Sequence, residues 1–128
     1  MKNKYDVVKF VDNDFELDVR TDKENDTVWL NTEDISLLFG RDYKTIRKHI
    51  NNALREELDE KVVVAKFANT TKHGAIGSKT QTHDIDFYNL DMIISVGYRV
   101  KSKRGIIFRK WANKVLNDYL IKGNVVVS

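Results

Sequence analysis

The sequence contains no cysteine and no proline among its 128 residues. The lack of cysteine excludes a disulfide framework and any metal site built from thiolates. The lack of proline leaves no proline-marked linker that would divide the chain. A chain of this length is typical of one domain with one hydrophobic core. We therefore predict a single domain over residues 1–128.

Long apolar stretches are also missing. No run approaches the roughly 18 apolar residues that a membrane-spanning helix needs. The N-terminal segment from Met1 to Asp6 lacks the apolar centre of a secretion signal. We therefore expect a cytoplasmic protein with no membrane partner.

Signatures of enzymes are scarce. No two of His49, His73 and His83 are three or four residues apart, so no helical pair of metal ligands is predicted. The sequence has no P-loop, no Gly-x-Ser-x-Gly and no dinucleotide-binding fingerprint. Asp84 and Asp86 would point the same way from a strand, as in a metal-dependent nuclease, but ordinary amphipathic alternation explains this spacing. We expect no catalytic residue, no metal and no cofactor.

Charge is distributed unevenly along the chain, although the net charge is only +3. Residues 12–34 carry nine acidic and two basic side chains, a net charge of −7. Residues 97–123 carry eight basic side chains and one acidic side chain, a net charge of +7. This asymmetry favours a polyanionic partner, and an unevenly charged but merely solvated surface is the alternative.

Alternating polar and apolar residues predict a β-hairpin over residues 12–30. The alternation from Phe15 to Val19 has the period of a half-buried strand. A polar turn at residues 23–26 then separates it from a short return strand. Residues 7–11 are a further candidate strand.

Residues 31–58 fit a helix-turn-helix. Asn31 caps the first helix, and Gly40 ends it as a left-handed residue. Asp42 caps a second helix that runs to about Leu58, in which apolar residues recur every four positions. This recurrence predicts a stripe that faces the core.

The other face of the second helix is basic. At about 100° per residue, its polar side chains fall opposite the apolar stripe. A helix that enters the major groove of DNA needs such a face, with cations for phosphates and Arg, Lys or Asn for base edges. The candidate DNA-binding residues are Tyr43, Lys44, Arg47, Lys48, Asn51 and Arg55. The first four are expected at the bases and the last two near the backbone, with a solvated surface helix as the alternative.

A second hairpin is predicted over residues 61–88, with a strand that starts at Val62 and a polar loop at residues 68–79. This loop could act as a wing that touches the phosphate backbone, and an ordinary hairpin loop is the alternative. Its basic residues are Lys72, His73 and Lys79.

Two helices are predicted over residues 89–123. Asn89 and Ser102 are their expected capping residues. In the second of these helices, Trp111 and Tyr119 have the spacing of core residues.

The segment around the start of the last helix is strongly basic. Cations at a helix start oppose the helix dipole, so a bound anion is expected to offset them. The candidate phosphate-contacting residues are Arg99, Lys101, Ser102, Lys103, Arg104, Lys110 and Lys114. The alternative is neutralisation by acidic residues of the N-terminal hairpin.

The C-terminal half resembles a known bacterial family. The stretch YNLDMIISVGYRVKSKRG, from Tyr88 to Gly105, and the Phe-Arg-x-Trp-Ala pattern at residues 108–112 resemble the most recognisable part of the RhuM family. Shorter matches in the same order extend the resemblance from about Phe15 to Gly123. The last helix is also similar to the Bro-N domains of phage antirepressors.

The resemblance implies a small winged or modified helix-turn-helix domain of the α+β class and supplies no agreed catalytic residue. We therefore expect a module that binds double-stranded DNA, as a transcriptional regulator or antirepressor-like protein of a mobile or virulence element. The alternative is a protein-binding regulator, for instance a partner in a two-gene stress cassette, without direct DNA binding. A homodimer is compatible with the reading of two DNA half-sites.

Overall fold

The computed structural model describes residues 5–72 and 80–122. Within these ranges the elements are β1 (Asp6–Asp12), β2 (Phe15–Asp22), β3 (Thr27–Asn31), α1 (Thr32–Phe39), α2 (Tyr43–Glu56), α3 (Glu60–Val63), β4 (Val64–Lys72), β5 (Thr80–Tyr88), α4 (Leu90–Arg99) and α5 (Lys103–Lys122). The strands form one antiparallel sheet in the order β1-β2-β3-β5-β4. The predicted α+β class is confirmed.

The helices α1 and α2 lie in the connection between β3 and β4. Because β5 pairs with both of these strands, the chain leaves the sheet after β3, forms the helices and returns at the far edge. β3 pairs with β5 only through Leu30 and Asn31, whereas β4 and β5 pair along their whole length. The β4–β5 hairpin therefore extends beyond β3.

The first three strands form a meander that corresponds to the predicted hairpin at residues 12–30 and the candidate strand at residues 7–11. A buried carboxylate fixes the turn between β2 and β3. Asp22 accepts hydrogen bonds from the Trp29 indole N–H at 3.0 Å and from the Asn25 side chain at 2.7 Å. These bonds satisfy a charge that would otherwise be costly to bury.

Local capping sets the ends of α1 and α2. Asn31 and Asp34 form a capping box at the start of α1, with the Asp34 backbone N–H 2.8 Å from the Asn31 side chain. Gly40 ends α1 with φ of 63°, in the left-handed region that favours glycine. Asp42 caps α2 by accepting a hydrogen bond from the Thr45 backbone N–H at 3.2 Å. Three residues, from Gly40 to Asp42, therefore separate the two helices.

Two predicted boundaries are wrong. α2 ends at Glu56 and does not reach Leu58. Val62, predicted to begin a strand, lies in the short helix α3. The cause is local, because the Asp59 side chain accepts a hydrogen bond from the Lys61 backbone N–H at 3.0 Å and caps this turn.

The second hairpin is also longer than predicted. β4 continues to Lys72 and β5 begins at Thr80, so part of the predicted loop at residues 68–79 is strand. The backbone groups of this polar stretch are satisfied by cross-strand pairing. Its composition alone does not predict a strand, because strand formation depends strongly on the neighbouring strand. His73 and Lys79 of the predicted wing lie outside the described residues.

An aromatic cluster joins α5 to β1. The fully buried ring of Phe10 lies 5.2 Å from Phe108 and 5.3 Å from Trp111, measured between ring centroids. Trp111, predicted as a core residue, is only half-buried at the edge of this cluster. Tyr119 is buried further along α5, and its hydroxyl donates a hydrogen bond to the Asp6 carboxylate at 2.7 Å.

The ring of Phe39, at the end of α1, packs into the junction of α4 and α5. Its Cζ atom lies 2.9 Å from the position that a Cβ atom would occupy at Gly97. A Cβ atom at Gly105 would lie 3.6 Å from the same ring and 3.6 Å from the Gly97 Cα atom. The first distance is too short for a real Cβ atom and the others are ordinary van der Waals contacts, so the absence of a side chain at Gly97 is what makes room for the Phe39 ring.

We predict that Gly97→Ala lowers the free energy of unfolding by about 1–2 kcal/mol, because overpacking outweighs the better helix propensity of alanine. In a Phe39→Leu background, which lacks the distal ring atoms, the same change should instead raise stability by about 0.5–1 kcal/mol. Urea denaturation of the four proteins measures this reversal. An equal destabilisation by Gly97→Ala in both backgrounds would contradict the packing described here.

Candidate nucleic-acid interface

The solvent-facing side of α2 carries the six residues that the sequence singles out. Ile46, Ile50 and Ala53 are buried on the opposite side of the helix. The exposed residues are Tyr43, Lys44, Arg47, Lys48, Asn51 and Arg55. All of these except Tyr43, together with Asn52, line a shallow concavity of about 430 Å³ along the helix. We call these six residues the α2 face.

The cations of the α2 face form no ion pair with an acidic residue in the part of the chain that the structure describes. Arg47 lies over the Tyr43 ring at 6.0 Å, and a hydrogen bond with Tyr43 raises the pKa of its guanidinium. Arg55 donates to the side-chain oxygen of Asn52. The α2 face therefore presents several positive charges to solvent. Two of them, on Arg47 and Arg55, contact the uncharged side chains of Tyr43 and Asn52.

The β4–β5 hairpin lies beside the first turns of α2. Tyr43 and Arg47 share a small surface pocket with Asp86 and Tyr88 of β5. Asp86 is engaged by Lys66 of β4 at 2.7 Å, so the pair is neutral beside the basic helix. Sequence analysis did not anticipate these β5 neighbours, because only the pairing of β5 with β3 brings the strand to the start of α2.

Arg41 connects the α1–α2 turn to the α4–α5 turn, a role that sequence analysis missed. Its guanidinium donates to the carbonyl oxygen of Phe39 at 3.1 Å and to that of Val100 at 2.9 Å. The Ser36 hydroxyl donates in turn to the Arg41 carbonyl oxygen. The sequence feature that could have indicated this role is the position of Arg41 directly after Gly40. Carbonyl groups at the end of a helix lack helical hydrogen-bond partners, and a nearby cation can bind them.

Arg99, a predicted phosphate ligand, instead joins α4 to the end of α2. Its guanidinium lies 3.0 Å from carboxylate oxygens of Glu56 and Glu57. Glu57 also accepts a hydrogen bond from the Ser95 hydroxyl at 2.6 Å. The bonds from Ser95 and Arg99 hold the pKa of Glu57 below its usual range.

Arg104, also predicted to contact phosphate, is anchored to the first hairpin. It lies 3.1 Å from the Asp12 carboxylate and donates to the Leu38 carbonyl oxygen at 3.2 Å. Its guanidinium also lies 4.4 Å from the centre of the Phe15 ring. The alternative considered above, neutralisation by an acidic residue of the N-terminal hairpin, therefore applies to Arg104.

The other predicted phosphate ligands differ in their surroundings. Lys114 lies 3.6 Å from Asp118, one helical turn further along α5. Lys101, Lys103 and Lys110 are exposed and form no ion pair with any described residue. Ser102 immediately precedes α5, as expected of a capping residue.

The acidic N-terminal region is also partly neutralised within the fold. Asp12 binds Arg104, and Asp18 lies 3.1 Å from Lys9. Burial raises the pKa of Asp34, which serves in the capping box of α1. One ion pair, between Asp12 and Arg104, thus joins the acidic N-terminal region to the basic C-terminal segment.

A comparison with known protein families shows which family the chain is related to. A match to the family described as "Virulence protein RhuM family" covers residues 62–127, just over half of the chain. The chain belongs to this family. The matched part of the RhuM chain includes the β4–β5 hairpin, α4, α5 and both glycines of the Phe39 junction. No curated protein and no solved structure matches the chain.

The helices α1 and α2 precede the matched part of the RhuM chain, so the resemblance of residues 15–61 stays a prediction. The Bro-N similarity of the last helix also stays a prediction, because the match is to the RhuM family. Among the described residues, no three His, Asp or Glu side chains are grouped as metal ligands would be. None of the helices within the described ranges has the length and apolar character needed to cross a membrane.

We predict that Arg104→Met lowers the free energy of unfolding by roughly 1–3 kcal/mol, because it removes a charged hydrogen bond and leaves the Asp12 carboxylate unpaired. Lys103→Met is the matched control, since Lys103 is exposed and unpaired among the described residues. Its stability should stay within about 0.5 kcal/mol of the parent. Equal urea midpoints for the two variants would show that Arg104 is not a structural anchor.

Proposed function

We propose that this RhuM-family protein binds double-stranded DNA, with α2 as the helix that enters the major groove. The observation that carries this function is the α2 face, a row of mainly cationic and amide side chains that form no ion pair with any described residue. It follows a tightly turned helix pair, α1 and α2. Arg, Lys and Asn are the side chains that bond phosphates and purine edges.

The dimensions of α2 suit this role. A helix with its side chains is about 10–12 Å in diameter and fits the major groove, which is about 12 Å wide. The 14 residues of α2 would extend for about 21 Å. Tyr43, Lys44, Arg47 and Lys48 belong to the first half of the helix and would reach base edges. Asn51 and Arg55 would contact the backbone on one side of the groove.

The β4–β5 hairpin acts as the wing in this proposal. Asp86 and Tyr88 of β5 line a surface pocket with Tyr43 and Arg47, so this end of the hairpin would lie next to the occupied groove. His73 and Lys79, the other predicted wing residues, lie outside the described residues. A transcriptional regulator or antirepressor-like protein of a virulence element is the biological role that fits both this surface and the family description.

Replacement of Arg47 and Lys48 by alanine tests this function. We expect the variant to bind a random-sequence duplex at least tenfold more weakly at low salt, with unchanged thermal stability, because both side chains are exposed. A random-sequence duplex is bound mainly through its phosphates, so both cations are expected to pair with phosphates in this assay. The magnitude of the slope of log affinity against log salt concentration should then fall by up to about 1.8, since each lost phosphate contact removes roughly 0.9. Fluorescence anisotropy of a labelled duplex measures both quantities.

The matched control removes two positive charges elsewhere. Lys9 lies on β1, at the opposite edge of the sheet from β4, and Lys23 lies in the turn between β2 and β3. Their replacement by alanine changes the net charge equally but should leave the salt slope as in the parent. Equal losses of affinity in the two double variants would exclude α2 as the contact surface.

A further inference from the structure

An open groove with an apolar floor lies between α4 and α5, apart from the α2 face. Its volume is about 560 Å³. Ile94 and Tyr98, one turn apart on α4, form one wall, and Ile106 of α5 contributes to the other. Tyr98 is 85% exposed and Ile106 is 56% exposed, so large apolar groups are left in water.

The rim of this groove is cationic. Lys101, Lys103 and Arg109 line it, and none of them forms an ion pair with a residue that the structure describes. The first turn of α5 contains no acidic residue, so the positive end of the helix dipole adds to the same field. An occupant that fits must therefore carry both apolar groups and negative charge.

We propose that the α4–α5 groove binds an acidic amphipathic helix of a partner protein. Aliphatic or aromatic side chains at helical spacing would cover Ile94, Tyr98 and Ile106, and flanking carboxylates would pair with the rim cations. Lys101 and Lys103, predicted above as phosphate ligands, thus bind carboxylates. A DNA backbone matches the charge of the rim but would leave the apolar walls in water. Binding of DNA here would therefore lack the favourable free energy of burying apolar surface.

A second copy of the chain is a poorer occupant. The first hairpin combines exposed acids with the exposed apolar residues Val7 and Val11. However, Lys9 lies between them, 3.6 Å from Glu16 and 3.1 Å from Asp18. Two of the carboxylates nearest to these apolar residues, Glu16 and Asp18, are therefore already paired with a lysine.

Selection from a displayed library of random 16-residue peptides tests the groove. The parent chain should enrich peptides of net negative charge with apolar residues at i, i+3 and i+4 spacing. Tyr98→Ser combined with Ile106→Ser should weaken synthetic copies of these peptides at least tenfold. Val7→Ser combined with Val11→Ser is the matched control, because it also removes two exposed apolar side chains, and it should leave the affinity unchanged.

Several results would overturn the assignment. One is a selection in which no enriched peptide depends on Tyr98 and Ile106, or in which the dependent peptides are neutral or basic. Another is a loss of duplex binding in the Tyr98→Ser, Ile106→Ser variant equal to that of the α2 variant, which would place the groove on DNA. A dimer that is seen by sedimentation and disappears in the groove variant would identify a second copy as the occupant.

Discussion

The packing of the Phe39 ring on Gly97 is the contact on which the arrangement of helices depends. The ring occupies space that a side chain at Gly97 would need, since a Cβ atom there would lie 2.9 Å from the Phe39 Cζ atom. Because α1 is tied to α2 by a three-residue turn, the same contact sets the direction of α2. Arg41 reinforces the arrangement by bonding the end of α1 to the end of α4.

The basic residues divide into two classes according to their partners. Arg99 and Arg104 hold elements together, and each is at least half shielded from solvent with carboxylates at about 3 Å. The cations of the α2 face, like those on the rim of the α4–α5 groove, have no such partners among the described residues. A partly buried ion pair is costly to break, whereas an exposed lone cation is inexpensive to hold. Only the second class is therefore suited to a binding role.

The two proposed surfaces belong to different elements that share one support. The α2 face lies on the second helix of the tight pair, and the groove lies between the last two helices. Arg99 links α4 to the end of α2 through Glu56 and Glu57, and Arg41 links the two turns. These contacts join the helices that carry the two proposed surfaces.

Sequence alone determined the features that depend on near neighbours. The Asn31 cap, the left-handed Gly40 and the four-residue recurrence of apolar residues fix α1 and α2, because helix ends and faces follow from local hydrogen bonds and the 3.6-residue turn. Tertiary structure decided which charges remain free. Whether Arg104 meets a phosphate or Asp12 depends on a contact across 92 positions of sequence, and the groove is formed by residues of two separate helices and the turn between them. Ion pairing and close packing act through space, so neither residue type nor spacing along the chain could assign them.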